Sequence, residues 1–445
     1  MPVRSKSLNT LVIGIGQCGS NIADTFAELG FKAIAINTAE GDLRLLSNIP
    51  NNRRIVIGRD RFHGGGVGGN PSNGRTAMEN DLDKVLDVIE DVNHNIELVI
   101  IPYATGGGTG SGGAPVLIER LTEKFSDSLI IPLAVLPLPE DGATTIVNSA
   151  YSLSKLVKLN TSCIFLADND WIRRSDMPID ETYDRINKSM AKYFDDILYL
   201  SSKEVVSNKK GDVLDRGDVI NLLSAGAYGT FGYAKSKNKE VALEALLDKA
   251  LSPSGLYADL DIRLANAFGL ICRGPSNTLR ASTIFNKIRE MVLKLENKSA
   301  YIRRGVYPND ALQNVEILTI FTGVTRSPRI QEIIRQGKLA YEEIINAKQK
   351  RVEEAFLADE FDLDAVYSRK PKAISIKEEI VEELPIVHKI ELDTIEVLDK
   401  FENRIIIQDR TIGRIGDVYI VKGEYFCELC NSKDCKHIEF VSNTN

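Results

Sequence analysis

The sequence predicts an α/β fold: a doubly wound parallel sheet, a smaller α+β region after it, and a compact C-terminal module. Three observations carry this. Short apolar runs alternate with amphipathic helical stretches early in the chain, the pattern of a parallel sheet with helices on both faces. Three of those runs end in Gly-rich turns. Three Cys and a His cluster near the end, beyond a charge-rich stretch.

Thr10-Leu11-Val12-Ile13 opens the first strand and leads into Gly14-Ile15-Gly16-Gln17-Cys18-Gly19-Ser20-Asn21. A helix follows, with Ile22, Phe26 and Leu29 on one face. Gly14, Gly16 and Gly19 give G-x-G-x-x-G, a dinucleotide fingerprint that is weak alone. The second strand, Ala33 to Ile36, ends in Asn37-Thr38, not in the acid that a nicotinamide enzyme places on its ribose. The third, Arg54 to Ile57, leads to a second Gly-rich loop, His63 to Pro71. The fourth, Leu98 to Ile101, leads to Ala104-Thr105-Gly106-Gly107-Gly108-Thr109-Gly110-Ser111-Gly112-Gly113, with a helix predicted from Pro115 to Phe125. Strand, Gly-rich loop and helix make a phosphate-binding turn. Gly lets successive N–H groups face an anion, and the helix N-terminus adds its own unpaired donors. Thr109 and Ser111 offer hydroxyls. No Lys follows the glycines, which excludes the Lys-bearing phosphate loop. Three such turns on one sheet edge suit a polyphosphate held from several sides.

Strands at Leu129 to Leu136 and Cys163 to Leu166 end in Pro137 to Gly142 and in Asp168-Asn169-Asp170. A helix from about Glu181 to Tyr193 carries Tyr183 and Asn187 at i and i+4, on one face. A ring and an amide so placed suit a base, or make an ordinary surface pair. Asp215 and Asp218 are three apart, where a helix start would use one as its cap. Ala267 to Cys272 and Val315 to Phe321 read as strands of the smaller region. Ser327-Pro328 starts a long helix to about Phe356, with Ile330, Ile333, Ile334, Tyr341, Ile344 and Ile345 along one stripe.

The 445 residues are 43% apolar and 26% charged, an ordinary globular balance with room for two or three domains. A net charge of −7 argues against broad binding to nucleic acid. No apolar run approaches the roughly 20 residues of a transmembrane helix, and the polar N-terminus does not read as a signal peptide. Cys18, Cys163 and Cys272 are scattered, so no disulfide framework is predicted and a cytoplasmic protein is expected. C-x2-C-x4-C-x-H over Cys427, Cys430, Cys435 and His437 offers three thiolates and an imidazole for tetrahedral Zn2+. A module of about 50 residues has a small core, which a structural metal would complete.

The run GGGTGSG at Gly106 to Gly112 resembles the glycine motif of the tubulin/FtsZ superfamily. Gly16-Gln17-Cys18-Gly19, Asn37-Thr38 and Gly64 to Pro71 resemble the first three nucleotide loops of tubulin. Further stretches are similar to the archaeal tubulin-like CetZ family: Ala35-Ile36-Asn37-Thr38-Ala39, Gly106 to Pro115, Asp168-Asn169-Asp170-Trp171, and Gly323-Val324-Thr325 with Pro328-Arg329-Ile330. The resemblance covers about residues 8 to 345. It implies a GTP-binding domain over 1–180, a central helix over 181–200, an activation domain over 201–326 and a long last helix of the core over 327–358. A charged linker, 359–393, and a module over 394–445 lie beyond.

The resemblance also implies GTP or GDP as ligand, Mg2+ with it, and head-to-tail polymerisation of the chain with itself. It puts Gln17, Cys18 and Asn21 at the nucleotide, joined by Gly16 and Asn37 of the first and second loops. Gly66, Val67 and Gly68 face the γ-phosphate, and Gly107, Gly108, Thr109 and Gly110 hold the phosphates. Asp141, with Glu140 as rival, meets the ribose. Asn169, Tyr183 and Asn187 meet guanine, with Asn21 near the base. Asp215 and Asp218 position water on the neighbouring subunit's GTP. Two positions depart from the bacterial division protein: Val213 stands where it usually has Asn, and no Arg occurs in Ala143 to Ile146. Slower hydrolysis is the expectation. The tail looks like a SWIM-type zinc module with C-x2-C in place of C-x-C, whose partner is a protein or a nucleic acid. The expected protein is a cytoskeletal GTPase concerned with cell shape or the cell surface. Its rivals are a plasmid- or phage-segregating filament with a DNA-binding tail, a non-polymerising GTP switch and, furthest, a Rossmann oxidoreductase.

Overall fold

The computed structural model describes residues 4–170, 179–207, 212–237, 242–347, 395–400, 404–409, 414–421, 424–427 and 441–442. They belong to two compact units, Met1–Ser375 and Ile376–Asn445. The first unit begins with β1 (Thr10–Ile15), α1 (Gly16–Glu28), β2 (Lys32–Asn37), α2 (Glu40–Arg44), β3 (Arg54–Val56), α3 (Arg59–Phe62), α4 (Pro71–Asn80) and α5 (Leu82–Val92). It continues with β4 (Leu98–Ala104), α6 (Thr109–Lys124), β5 (Leu129–Leu136), α7 (Ala143–Leu156), β6 (Ile164–Asp168) and the long α8 (Ile179–Leu200). Then come α9 (Lys203–Ser207), α10 (Arg216–Leu223), β7 (Tyr228–Lys235), α11 (Leu243–Leu251), β8 (Ala267–Gly274), α12 (Ala281–Lys294), β9 (Tyr301–Pro308), β10 (Glu316–Val324) and α13 (Pro328–Ala347).

All ten strands form one sheet, in the order β3-β2-β1-β4-β5-β6-β7-β10-β8-β9. The six strands of the first half are parallel, as expected for a doubly wound sheet. The smaller region's strands continue that sheet, because β7 pairs with β6 through Ile164↔Tyr228 and Phe165↔Gly229. β10 then runs antiparallel between β7 and β8. Along β1 the pleat sends Leu11, Ile13 and Ile15 to one core and Val12 to the other, so apolar clusters fill both faces. The central helix α8 lies on the second face. Its Phe194 meets Phe165 of β6 at 5.1 Å and Phe231 of β7 at 4.9 Å, covering the short joint between the two halves of the sheet.

The helix predicted from Pro115 begins at Thr109 instead, so much of the Gly-rich run is helical. The reason is packing. A Cβ on Gly112 would lie 1.9 Å from the Pro71 carbonyl oxygen, so α6 and α4 touch backbone to backbone and only Gly fits. At α13, Ser327 Oγ accepts from the Ile330 amide at 3.2 Å, the cap that the Ser-Pro pair predicts. The helix is described to Ala347; its expected continuation to Phe356 and the linker lie outside the described residues.

The second unit holds β11 (Ile395–Lys400), β12 (Arg404–Asp409), β13 (Arg414–Val421) and β14 (Glu424–Cys427), an antiparallel sheet in sequence order. Ile405, Val418 and Cys427 are buried. Of the four expected zinc ligands only Cys427 is described; Cys430, Cys435 and His437 lie outside the described residues. Among the described residues no three metal-ligating side chains converge. Within that same set, no helix is long and apolar enough to cross a membrane.

Candidate functional site

The carboxyl ends of β1, β2 and β4 open into two adjoining hollows that share Gln17, Cys18 and Ala104. The smaller, of about 290 Å³, is lined by Gly16, Asn37, Thr38, Asp42, Gly66, Val67, Gly107, Gly108, Thr109 and Gly110, among others. Helices α1 and α6 both begin here, and neither carries an acid in its first turn. Two helix N-termini and a Gly-rich turn present unpaired N–H groups to an anion. Gly16 sits at φ 73, and a Cβ there would lie 3.1 Å from the Gly110 amide nitrogen. Gly66 sits at φ 83.

Side chains lock this hollow's loops together. Thr38 and Thr109 share a buried hydrogen bond of 2.7 Å between their hydroxyls. Asn37 donates to Asp42 at 2.8 Å and accepts from the Thr38 amide at 2.8 Å, so its amide holds the loop. Asn148 of α7 donates to the carbonyls of Gly69 (2.8 Å) and Gly106 (3.1 Å), tying the third loop to the Gly-rich loop. Ser111 corrects the sequence expectation: its buried hydroxyl turns back to the carbonyls of Gly107 and Gly108, because the helix starts before it. Gly68 is exposed and outside the lining.

The larger hollow, about 630 Å³, gathers Asn21, Asn169, Tyr183 and Asn187. Burial pushes the Tyr183 hydroxyl up, and the Asp141 charge adds to this, so Asp141 stands within electrostatic reach although it does not line the hollow. One Asp141 oxygen closes its own turn, accepting from the Leu138 amide at 2.9 Å. Burial also pushes the Cys18 thiol up to about 12, so its neutral form is favoured.

Sequence reasoning missed the outer wall. Asp24 accepts the backbone amides of Ser47 (3.1 Å), Asn48 (2.8 Å) and Ile49 (2.9 Å), folding the loop Leu45 to Asn48 over the hollow. Asp24, Thr25 and Glu28 follow Asn21 along the polar face of α1, a helical spacing that the sequence did contain. The loop itself left no local signal. Behind the site, Arg329 at the start of α13 donates to Asp168 at 3.0 Å and to the Pro137 carbonyl at 2.5 Å. Burial raises the Asp168 carboxyl, with the Arg329 charge pulling the other way.

Asp215 and Asp218 are not at this cleft. Asp215 caps α10, its Oδ1 accepting from the Asp218 amide at 2.8 Å, and Asp218 closes a capping box by accepting from the Asp215 amide at 3.1 Å. Burial pushes the Asp218 carboxyl up, but bonds from Tyr301, the Asp215 amide and Arg303 outweigh it and hold it below the usual range. Arg216 pairs with Glu97, the residue before β4, which fixes α10 at the amino edge of the sheet. Tyr307 clamps the same region, donating to the Leu200 carbonyl and accepting from the Leu214 amide. At about 3.3 Å per residue β4 separates the two edges by roughly 20 Å.

An anion cradle of glycines and helix starts, opening into a polar slot for a flat ring, on a sheet whose second half is carried by a long central helix, defines a tubulin/FtsZ-type GTPase. Residues 9–176 match the tubulin/FtsZ family GTPase domain, and 176–257 match the tubulin-like CetZ C-terminal domain. The tubulin-like protein CetZ of Pyrococcus abyssi is 36% identical over 368 residues, covering 81% of this chain and 98% of that one. Among solved structures, CetZ2 from Haloferax volcanii, a GTPγS-bound protofilament, superposes with a TM-score of 0.66 at 27% identity, covering 75% of this chain and 99% of that one. GDP-bound monomeric CetZ1 from the same organism gives 0.64 at 28%, with the same coverage. The chain belongs to the tubulin-like CetZ family.

Proposed function

We propose that this chain is a GTPase that stacks head to tail into cytoskeletal filaments and hydrolyses GTP only where two subunits meet. The observation that carries the reading is the separation of the two edges. The cleft offers amides and hydroxyls for the phosphates, while the acids stand at the far edge of the same sheet. A carboxylate that distant does not reach its own subunit's nucleotide, but a heterologous stack lays it over the next one, and such contacts build open filaments.

In this reading the smaller hollow takes the phosphates, and Asp42 faces a Mg2+ bound with them. The larger hollow takes guanine, with Tyr183 stacked on the base and Asn187, Asn21 and Asn169 as its polar partners. Asp141 or Glu140 meets the ribose. Asp215 and Asp218 of the neighbour orient the attacking water. The protofilament form of the Haloferax relative supports carrying this arrangement over. We place the filament in the cytoplasm, working on cell shape or the cell surface.

The tail we read as an adaptor in which Cys427, Cys430, Cys435 and His437 hold one Zn2+, with a protein or nucleic acid as its partner. The spacing of those four supports it. Chelation is expected to unfold residues beyond about 395 and leave the GTPase unit intact; zinc-free protein with a protease-resistant tail would end the idea. For the filament, turnover per molecule is measured against protein concentration, alongside electron microscopy with GTPγS. A rise with concentration and visible filaments are expected. Constant turnover from a strictly monomeric protein would favour the solitary switch.

A further inference from the structure

Among the described residues, those that line the phosphate hollow offer donors but no side-chain cation. Among the described residues lining it none is Lys or Arg, and the one charged side chain is Asp42. Phosphoryl transfer spreads negative charge over the transferring group, and a guanidinium supplied by a partner is one recurring way to stabilise it. Bringing Asp215 and Asp218 to a triphosphate adds like charge, which also calls for a cation at the joint.

The acid edge supplies one. Arg303 of β9 donates through Nε to Asp218 Oδ1 at 2.6 Å and through Nη1 to the Ile302 carbonyl at 3.0 Å. The Tyr301 side chain interacts with the guanidinium as well. The Arg303 side chain is 47% exposed, and its guanidinium lies 4.3 Å from the centroid of the Tyr301 ring, which orients its plane. β9 is the last of the described strands of the sheet. The neighbouring arginines differ: Arg216 is paired with Glu97 and Arg304 with Asp212, neither of which touches the acid pair.

We propose that Arg303 is a catalytic residue of the shared site, its exposed guanidinium meeting the γ-phosphate of the neighbouring subunit's GTP while its Nε keeps Asp218 in place. The inference rests on the shared-site reading above. In the step itself, the water oxygen bonds to Pγ as the bond from Pγ to the β-phosphate's bridging oxygen breaks. That electron pair stays on GDP, and the water's proton leaves through Asp215 or Asp218 to solvent. Arg303 faces the oxygens of the group in transit.

The test uses the full chain and measures GTP turnover per pelleted subunit, with the GTP affinity of dilute subunits as control. Arg303→Ala is expected to bind GTP normally, pellet with GTPγS and turn over on the order of a thousandfold more slowly. Arg303→Lys should recover part of the loss, and Tyr301→Phe, which removes one bond to Asp218 but keeps the guanidinium, should lose far less. Wild-type turnover in Arg303→Ala filaments overturns the proposal, as does an equal loss in Tyr301→Phe, which would reduce Arg303 to a prop for Asp218. If Arg303→Ala does not pellet, Arg303→Lys decides: a clear loss supports the proposal and full turnover overturns it. Wild-type turnover that ignores protein concentration instead sinks the shared-site reading underneath.

Discussion

At the carboxyl edge of the sheet the site is made of backbone: two helix starts, a Gly-rich turn and buried loops pinned by Thr38, Thr109 and Asn148. At the amino edge it is made of side chains: exposed Asp215 and Arg303 and half-buried Asp218 around one helix cap. Backbone donors cannot be deleted without moving the chain, so the first edge is rigid and its substitutions act on folding and binding together. Side-chain charges can be removed singly, so the second edge separates turnover from binding. In the proposed reading, holding a nucleotide and breaking it fall to opposite edges of one sheet.

The largest test of this contrast is at the backbone edge. Gly112→Val places a side chain against the Pro71 carbonyl, where even a Cβ would be 1.9 Å away. It is expected to lose about 3 kcal/mol of stability and most GTP affinity together, read by calorimetry and nucleotide titration. A variant that melts and binds like wild type would break the claim of rigidity. Next comes Asp215→Ala at the other edge. Turnover should fall roughly a hundredfold with GTP affinity unchanged and filaments that persist, followed by phosphate release and pelleting. A loss of affinity there would erase the distinction between the edges.

Asn187→Ala probes a side chain of the larger hollow at the carboxyl edge. An unpaired buried partner costs about 1–3 kcal/mol, so the preference for GTP over ATP should shrink by about tenfold while phosphate binding stays. Competition binding reads it, and an unchanged preference would remove Asn187 from the base contact. The smallest effect is Asp218→Asn. The Asp218 carboxyl is held below its usual range, so the folded chain binds that proton less tightly than the unfolded one. Its ionisation favours folding at pH values above the ordinary Asp range, near 3.9, and the contribution is lost as pH falls through the folded value. Asp218→Asn should flatten the acid limb of the stability curve and leave higher pH little altered in slope. An acid limb as steep as wild type's would show that Arg303 and Tyr301 do not act on this carboxyl.

Much of the carboxyl edge could be read in advance, because its signals are local. Gly16, Gly66 and Gly107 to Gly110 stand in runs bounded by apolar strands, and Tyr183 and Asn187 share a helix face by spacing alone. The structure gathers them into two adjoining hollows. Where local reading failed, a distant neighbour decided. Ser111 turned inward because α6 starts early against α4, and Asp24 became the anchor of a loop more than 20 positions away.

By itself, then, the sequence determined the alternation of strands and helices, the glycine turns, the shared helix face of Tyr183 and Asn187 and the caps at Asp215 and Ser327, all consequences of backbone torsion, periodicity or a few adjacent residues. Tertiary structure alone decided that the smaller region's strands extend the same sheet and that Arg303 meets Asp218 across 85 positions of chain. Those are long-range pairings. They are set by which apolar faces bury against each other, and no window of the sequence contains both partners.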